Sequence, residues 1–383
     1  MSTTELDRIL RDAVDTGAVP NVAVVVADRD GVIYEGAAGP RAAGTDEPVT
    51  ADSHFWIMSM TTKLGTVAAL QQVEAGRLDL DAPVEDYCPE FGKLQVLDGF
   101  DGQTPRLRQP ASRATVRQLL NHTAGLGYWF FSEELMRYLD VEESPDPGPD
   151  GLALEPLLAD PGTVFTYGLS SDWLSRVVEA AAGQPLAQAV RDGITGPLGM
   201  DRTSYTPTDA DRANLVPGHM RAADGSWVAT EVVLQLEQQY FAGGHGLCTT
   251  PRDYLQFQRA LLGNGTVDGV RILQDKTVDE AFTDQLGGLA FPEVIPTTDP
   301  AVSCDLNFGP GFTWGLGLLL TTGDIPDRRR AGSGSWAGLL NSQFWVDRSA
   351  GITGAVHTQL LPYAPPESMQ LLHDVETAVY ALR

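Results

Sequence analysis

The sequence predicts an α+β fold, an antiparallel sheet flanked by helices with a helix-rich second domain beside it. Three observations lead there. The valine-rich run from Val22 to Ala27 is followed by Asp30-Gly31 and Val32-Ile33-Tyr34, a strand, a tight turn and a second strand. Strand-like patterns return only near the other end, as Trp314 to Leu320, Gly338 to Val346 and Ile352 to Thr358. Helical patterns fill the middle, so the two ends are expected to meet in one sheet. Residues 1–75 and 241–383 then form a discontinuous α/β domain and 76–240 the helix-rich one, with the active site between them.

The elements follow in order. Leu6, Ile9, Leu10, Ala13 and Val14 line one face of a first helix. Leu64 to Ala75 reads as a buried helix ended by Gly76. Residues 84–112, rich in Pro, Gly and Asp, read as a long loop, and Thr115 caps a short helix through Leu120. Val141 to Gly162 is a second loop, placed as a rim over a cleft. Helices are expected at 171–182, 186–193 and 251–262, the last opened by Thr250-Pro251, and a final one from Pro366 to Leu382.

Composition bounds the function. With 383 residues the chain is long enough for two domains, and its formal net charge of −25 disfavours nucleic acid or an anionic membrane as partner. Cys88, Cys248 and Cys304 are scattered, and no ligand spacing suggests a metal or another cofactor. The first residues lack a basic start and an apolar core, and no apolar run reaches spanning length, so a cytoplasmic location is expected.

The chemistry centres on Ser59-Met60-Thr61-Thr62-Lys63. A serine hydroxyl needs a base, and a nearby amine kept neutral by burial can take its proton. Tyr167, at a bend in Gly162-Thr163-Val164-Phe165-Thr166-Tyr167-Gly168, would serve as a phenol of depressed pKa that exchanges the serine proton and protonates the leaving group. Small residues around Trp336, in Gly332-Ser333-Gly334-Ser335-Trp336-Ala337-Gly338-Leu339, would let a backbone N–H approach a substrate carbonyl and, with the Ser59 N–H, form an oxyanion hole. Taken singly each signal is weak. His122 reads as a loop-fixing residue, the six histidines show no grouping, and the absence of Gly-x-Ser-x-Gly disfavours a nucleophile elbow.

Jointly these segments resemble the serine β-lactamase and D,D-peptidase superfamily over nearly the whole chain. Phe55 to Thr61 is similar to its nucleophile box, and Leu119-Leu120-Asn121-His122-Thr123-Ala124-Gly125-Leu126 to its Leu-Leu-x-His-Thr-Ser-Gly-Leu segment. Pro161-Gly162-Thr163 with Phe165 and Tyr167 matches its Pro-Gly-x-x-Phe-x-Tyr box, and Pro197-Leu198-Gly199-Met200 and Gly243-Gly244-His245-Gly246-Leu247 follow in order. Trp336-Ala337-Gly338 resembles the Trp-Gly-Gly that family VIII carboxylesterases carry in place of Lys-Thr-Gly. An indole, unlike a lysine, offers an apolar face and one N–H, which suits a neutral ester. Three positions depart from the pattern: Ala337 replaces a glycine, Gly168 a serine, and the lysine stands one residue late, so that Thr62 takes its usual place.

The resemblance implies a β-lactamase-like fold and a serine carboxylesterase acting on small, short-chain esters through an acyl-enzyme. Ser59, Lys63 and Tyr167 would be catalytic, the N–H groups of Ser59 and Leu339 would hold the oxyanion, and Trp336, Ala337 and Gly338 would bind substrate. Despite its offset, Lys63 Nζ is expected within direct or water-bridged reach of Ser59 Oγ, through a plain helical turn or a π-bulge. An acyltransferase, a β-lactamase, a D,D-peptidase or an amide hydrolase of the same fold remain alternatives, as does an inactive binding protein.

Overall fold

The computed structural model describes residues 3–141, 152, 154–230 and 241–382. Most of the rim loop read at 141–162 therefore lies outside the described residues. Seven strands build one antiparallel sheet: β1 (Val22–Asp28), β2 (Val32–Ala38), β3 (Phe312–Trp314), β4 (Leu319–Thr321), β5 (Gly334–Ala337), β6 (Gln343–Asp347) and β7 (Ile352–His357). Their spatial order is β3-β4-β5-β6-β7-β1-β2, so the chain ends meet where β1 pairs with β7, Val25 opposite Ala355.

Burial on both faces explains why β1 reads as an unbroken apolar run rather than an alternating one. Val22, Val24 and Val26 face α1 (Thr3–Asp15) and the C-terminal helix Pro366–Tyr380, while Ala23, Val25 and Ala27 join the larger core on the other side. That larger core holds α2 (Thr61–Glu74) and the helix Pro251–Leu262, which packs on β1, β6 and β7. Thr250 caps the latter by accepting the Asp253 N–H, with proline in its first turn as expected. In α2 nearly every residue through Leu70 is buried, because the helix also packs against the helix Ser170–Ala182. The expected cap at Thr115 is a full capping box with Gln118, opening the helix Val116–Leu120.

Three expectations need correcting. The loop at 84–112 contains a hairpin, Val96–Asp101 with Thr104–Arg108, turning at Gly102 in the left-handed region. The run from Trp314 to Leu320 is two strands rather than one. Gly315 and Gly317 bend the chain, the Gly315 N–H donating to Leu318 O at 2.8 Å and Gly317 adopting φ 71°. The strand read at 338–346 starts later, at Gln343, because Gly338 to Ser342 forms the turn after β5. This places Trp336 inside a strand rather than before one. No described helix is long and apolar enough to cross a membrane.

Trp345 on β6 is wholly buried, and its indole packs against Gly354 on β7, where any side chain would strike the ring. Trp345→Ala should lower unfolding stability by about 3–5 kcal/mol in urea denaturation. A loss near zero would mean that this seam of the sheet does not carry the packing described.

Candidate active site

Ser59 sits in a short 3-10 turn, Met58–Met60, that runs directly into α2. Met58 before it has φ 45°, a left-handed conformation that a non-glycine residue holds only when its surroundings impose it. Those surroundings are visible. Trp56 pairs with Cys248, the Ile57 N–H donates to Leu247 O at 3.1 Å, and the Tyr254 hydroxyl donates to Met60 O at 3.2 Å. From the sheet side, Gly338 lies so close that a Cβ there would collide with the Ile57 carbonyl. The Ser59 turn is thus clamped between the end of β5 and the Gly246-Leu247 segment.

No π-bulge absorbs the extra residue; the 3-10 turn passes into a regular helix. Thr62 donates its hydroxyl to Ser59 O at 2.8 Å, so its side chain is spent inside the turn. Lys63 points inward, not to solvent, but its amine does not hydrogen-bond Ser59 directly. It donates instead to the carbonyl of Gly317, at the bend between β3 and β4. Its Nζ lies 5.2 Å from the Trp314 ring centre and 5.5 Å from that of Trp336. Burial pushes its pKa well below the ordinary lysine value, because desolvation disfavours the charged amine.

Tyr167 is the group that reaches Ser59. Its phenol oxygen accepts the Trp336 Nε1–H at 3.0 Å, and the Ser59 hydroxyl acts as a second hydrogen-bond partner. Burial raises the phenol pKa to about 12, while the Ser59 and Trp336 hydrogen bonds pull it down. The depressed phenol expected from the sequence is therefore corrected, since desolvation outweighs the two donors. At neutral pH Tyr167 is a protonated relay, not a standing phenolate. His122, at φ 55°, packs its ring 4.7 Å from that of Tyr167. Burial pushes its pKa down to about 3, so it is a neutral wall of the site.

These groups border a cavity of about 170 Å³ lined by Ser59, Tyr167, Trp336, Ala337, Gly338 and Leu339 among others. Every residue expected to be catalytic or to bind substrate thus lines it, except Lys63, which is buried in the core with Nζ 5.5 Å from the Trp336 ring centre. The Leu339 N–H donates to no backbone carbonyl among the described residues, and Ser59 lies in the first turn of its helix, where N–H groups are left over. No lysine or arginine is among the described residues lining the cavity. Sequence reasoning missed Tyr128, Tyr363 and His245, which also line it. The Gly243-Gly244-His245 segment was a visible signal, without a reason to single out its histidine.

The sequence profile of the beta-lactamase family matches residues 6–378. The chain belongs to the beta-lactamase family. Its relatives in that family include the lovastatin esterase of Penicillium rubens, 31% identical over 91% of each chain. The monacolin J acid methylbutanoyltransferase of Aspergillus terreus is 29% identical over 98% of this chain and 95% of its own. Among solved structures, the unliganded simvastatin synthase of Aspergillus terreus superposes with a TM-score of 0.87 at 27% identity, covering 99% of this chain and 98% of that one.

The buried amine makes a measurable signature. Unfolded, Lys63 protonates at its ordinary value of 10.5; folded, it does so only at much lower pH. Across that interval the unfolded chain binds the extra proton, so stability rises with pH. Lys63→Met removes this contribution, and its thermal midpoint should climb less steeply than wild type between neutral pH and about 10. Equal slopes would show that the amine is charged in the folded protein.

Proposed function

We propose that this protein is a serine carboxylesterase that cleaves small, uncharged carboxylic esters through an acyl-enzyme on Ser59. The observation that carries the reading is the cavity: a nucleophile turn walled by Tyr167 and Trp336, with no cation among its described lining to hold a carboxylate. Penicillins and peptidoglycan stems carry that carboxylate; a simple ester does not. A volume of about 170 Å³ also suits an acyl group of few carbons. In this reading Ser59 Oγ attacks the ester carbonyl as its proton passes to Tyr167 and the phenol proton passes on towards the Lys63 amine; the relay then runs back and protonates the departing alcohol. Lys63, kept neutral by burial, supplies the basicity behind the phenol. The N–H groups of Ser59 and Leu339 hold the oxyanion, and Trp336-Ala337-Gly338 forms the pocket wall, as in family VIII carboxylesterases.

A second reading, acyl transfer to an alcohol, is favoured by the methylbutanoyltransferase relative and by the likeness to simvastatin synthase. It uses the same acyl-enzyme and differs only in the acceptor. A panel of p-nitrophenyl esters of rising chain length, with nitrocefin and a D-Ala-D-Ala peptide alongside, tests the first reading. Activity should be highest on short chains, slow or nil on nitrocefin, and lost on Ser59→Ala in a protein that still folds. Efficient penicillin turnover, or esterase activity surviving Ser59→Ala, would overturn it. Running the short-chain ester with added alcohols and weighing free acid against new ester then decides between hydrolysis and transfer.

A further inference from the structure

The cavity beside Ser59 has a larger neighbour. Between strands β3 to β6 and the helix Pro366–Tyr380 lies a second space of about 760 Å³, against about 170 Å³ for the first. Phe308, Phe312, Phe344, Met369 and Leu372 give it an apolar body. The two arginines in its lining are engaged within the protein, Arg328 and Arg329 pairing with Glu376 at 3.8 and 3.2 Å. Among the described residues, Leu306, Trp336, Ala337 and Tyr363 line both cavities and so form the wall between them. Trp336 and Ala337 belong to β5, whereas Leu306 and Tyr363 are brought to the wall by main-chain bonds. The Tyr363 N–H donates to Val302 O at 2.9 Å, the Cys304 N–H donates to Tyr363 O at 2.8 Å, and Leu306 stands opposite Ile295 in a two-stranded ladder. Neither placement depends on the side chain that it delivers.

Resting on the acyl-enzyme reading, we propose that Leu306 and Tyr363 set the acyl-length limit of this enzyme, by closing the Ser59 cavity off from the larger apolar space behind them. The direction of the acyl chain follows from the scheme above. The departing alcohol must lie by Tyr167, which protonates it. There the Tyr128 ring meets the phenol ring edge-on at 5.5 Å, with Phe130 stacked on Tyr128 at 5.1 Å, so the alcohol leaves past these aromatics. The carbonyl oxygen lies at the Ser59 and Leu339 N–H groups. The acyl chain is then left to run along the Ala337-Gly338 end of β5, where Ala337 is common to both cavities. A chain of few carbons stops at Leu306, which is buried, and at Tyr363; a longer one has to pass them. Each methylene buried in the second cavity would gain roughly fourfold in binding, so the limit is steric and not a lack of apolar surface further on.

The test is kcat/KM on two ester series, p-nitrophenyl esters from acetate to decanoate and butanoate esters of alcohols of rising length, read as the ratio of long to short within each enzyme. Leu306→Ala, Tyr363→Ala and the double variant open the wall, while Tyr363→Phe keeps it. The octanoate-to-butanoate ratio should rise at least roughly tenfold in the double variant, and by about 10²-fold where all four added methylenes are buried. Tyr363→Phe should hold the wild-type ratio, and the alcohol series should keep its wild-type order throughout. Adding Leu372→Trp, which fills the space beyond the wall, should cancel the gain. A ratio within about twofold of wild type in a double variant that melts cooperatively would overturn the proposal. So would a gain that survives Leu372→Trp, or one confined to the alcohol series. If the double variant does not fold, the two single variants are read by the same criteria. Failure of the acyl-enzyme reading is distinguishable, since esterase activity would then survive Ser59→Ala whatever the chain-length ratios.

Discussion

A lysine amine enclosed without a counter-ion is the constraint on which this site depends. An ammonium at Lys63 would have the Gly317 carbonyl and two indole faces for company, and no carboxylate partner among the described residues. Those contacts cannot replace the hydration of a full charge, so burial favours the neutral amine. Neutrality in turn requires that water be kept out, which the rings of Trp314 and Trp336 achieve. Trp336 then has its indole N–H left to satisfy, and it does so on the Tyr167 phenol. One desolvated amine thereby fixes the aromatic wall, the wall fixes the phenol, and the phenol meets Ser59.

The sheet gives this chain of contacts its rigidity. Trp336 is a β5 residue, Trp314 ends β3, and Gly317 sits in the bend leading to β4, so three consecutive strands at one end of the sheet meet at Lys63. The bend is itself tied to the helical side. The Gly317 N–H and the Trp314 Nε1–H both donate to Leu120 O, at 2.9 and 3.1 Å, the carbonyl just before the Asn121-His122 segment. Strain at Met58 and His122, both at positive φ, is held in place by this packing.

Much of this was legible in the sequence, for definable reasons. The β1 run, the Thr115 and Thr250 caps and the order of the boxes around Ser59, His122 and Tyr167 rest on local pattern, and the structure places them as read. What escaped depended on distant partners. A helical wheel puts Lys63 on the face of Ser59, yet does not reveal that a glycine carbonyl more than 250 positions on would receive its amine. The direction of the Tyr167 shift is set by burial, which no local motif encodes. The Val96–Arg108 hairpin hides in a segment whose Pro, Gly and Asp content reads as loop, and Gly315 and Gly317 split one strand into two within an otherwise continuous apolar pattern.

The central claim is that Ser59, not a neighbouring hydroxyl, carries the acyl group. Acid-quenching the enzyme during turnover of a p-nitrophenyl ester, followed by proteolysis and mass mapping, reads this directly. The acyl mass is predicted on the peptide containing Ser59, with fragment ions placing it on that residue and not on Thr61 or Thr62. An adduct on any other residue, or turnover with no covalent species in any variant, would contradict the account.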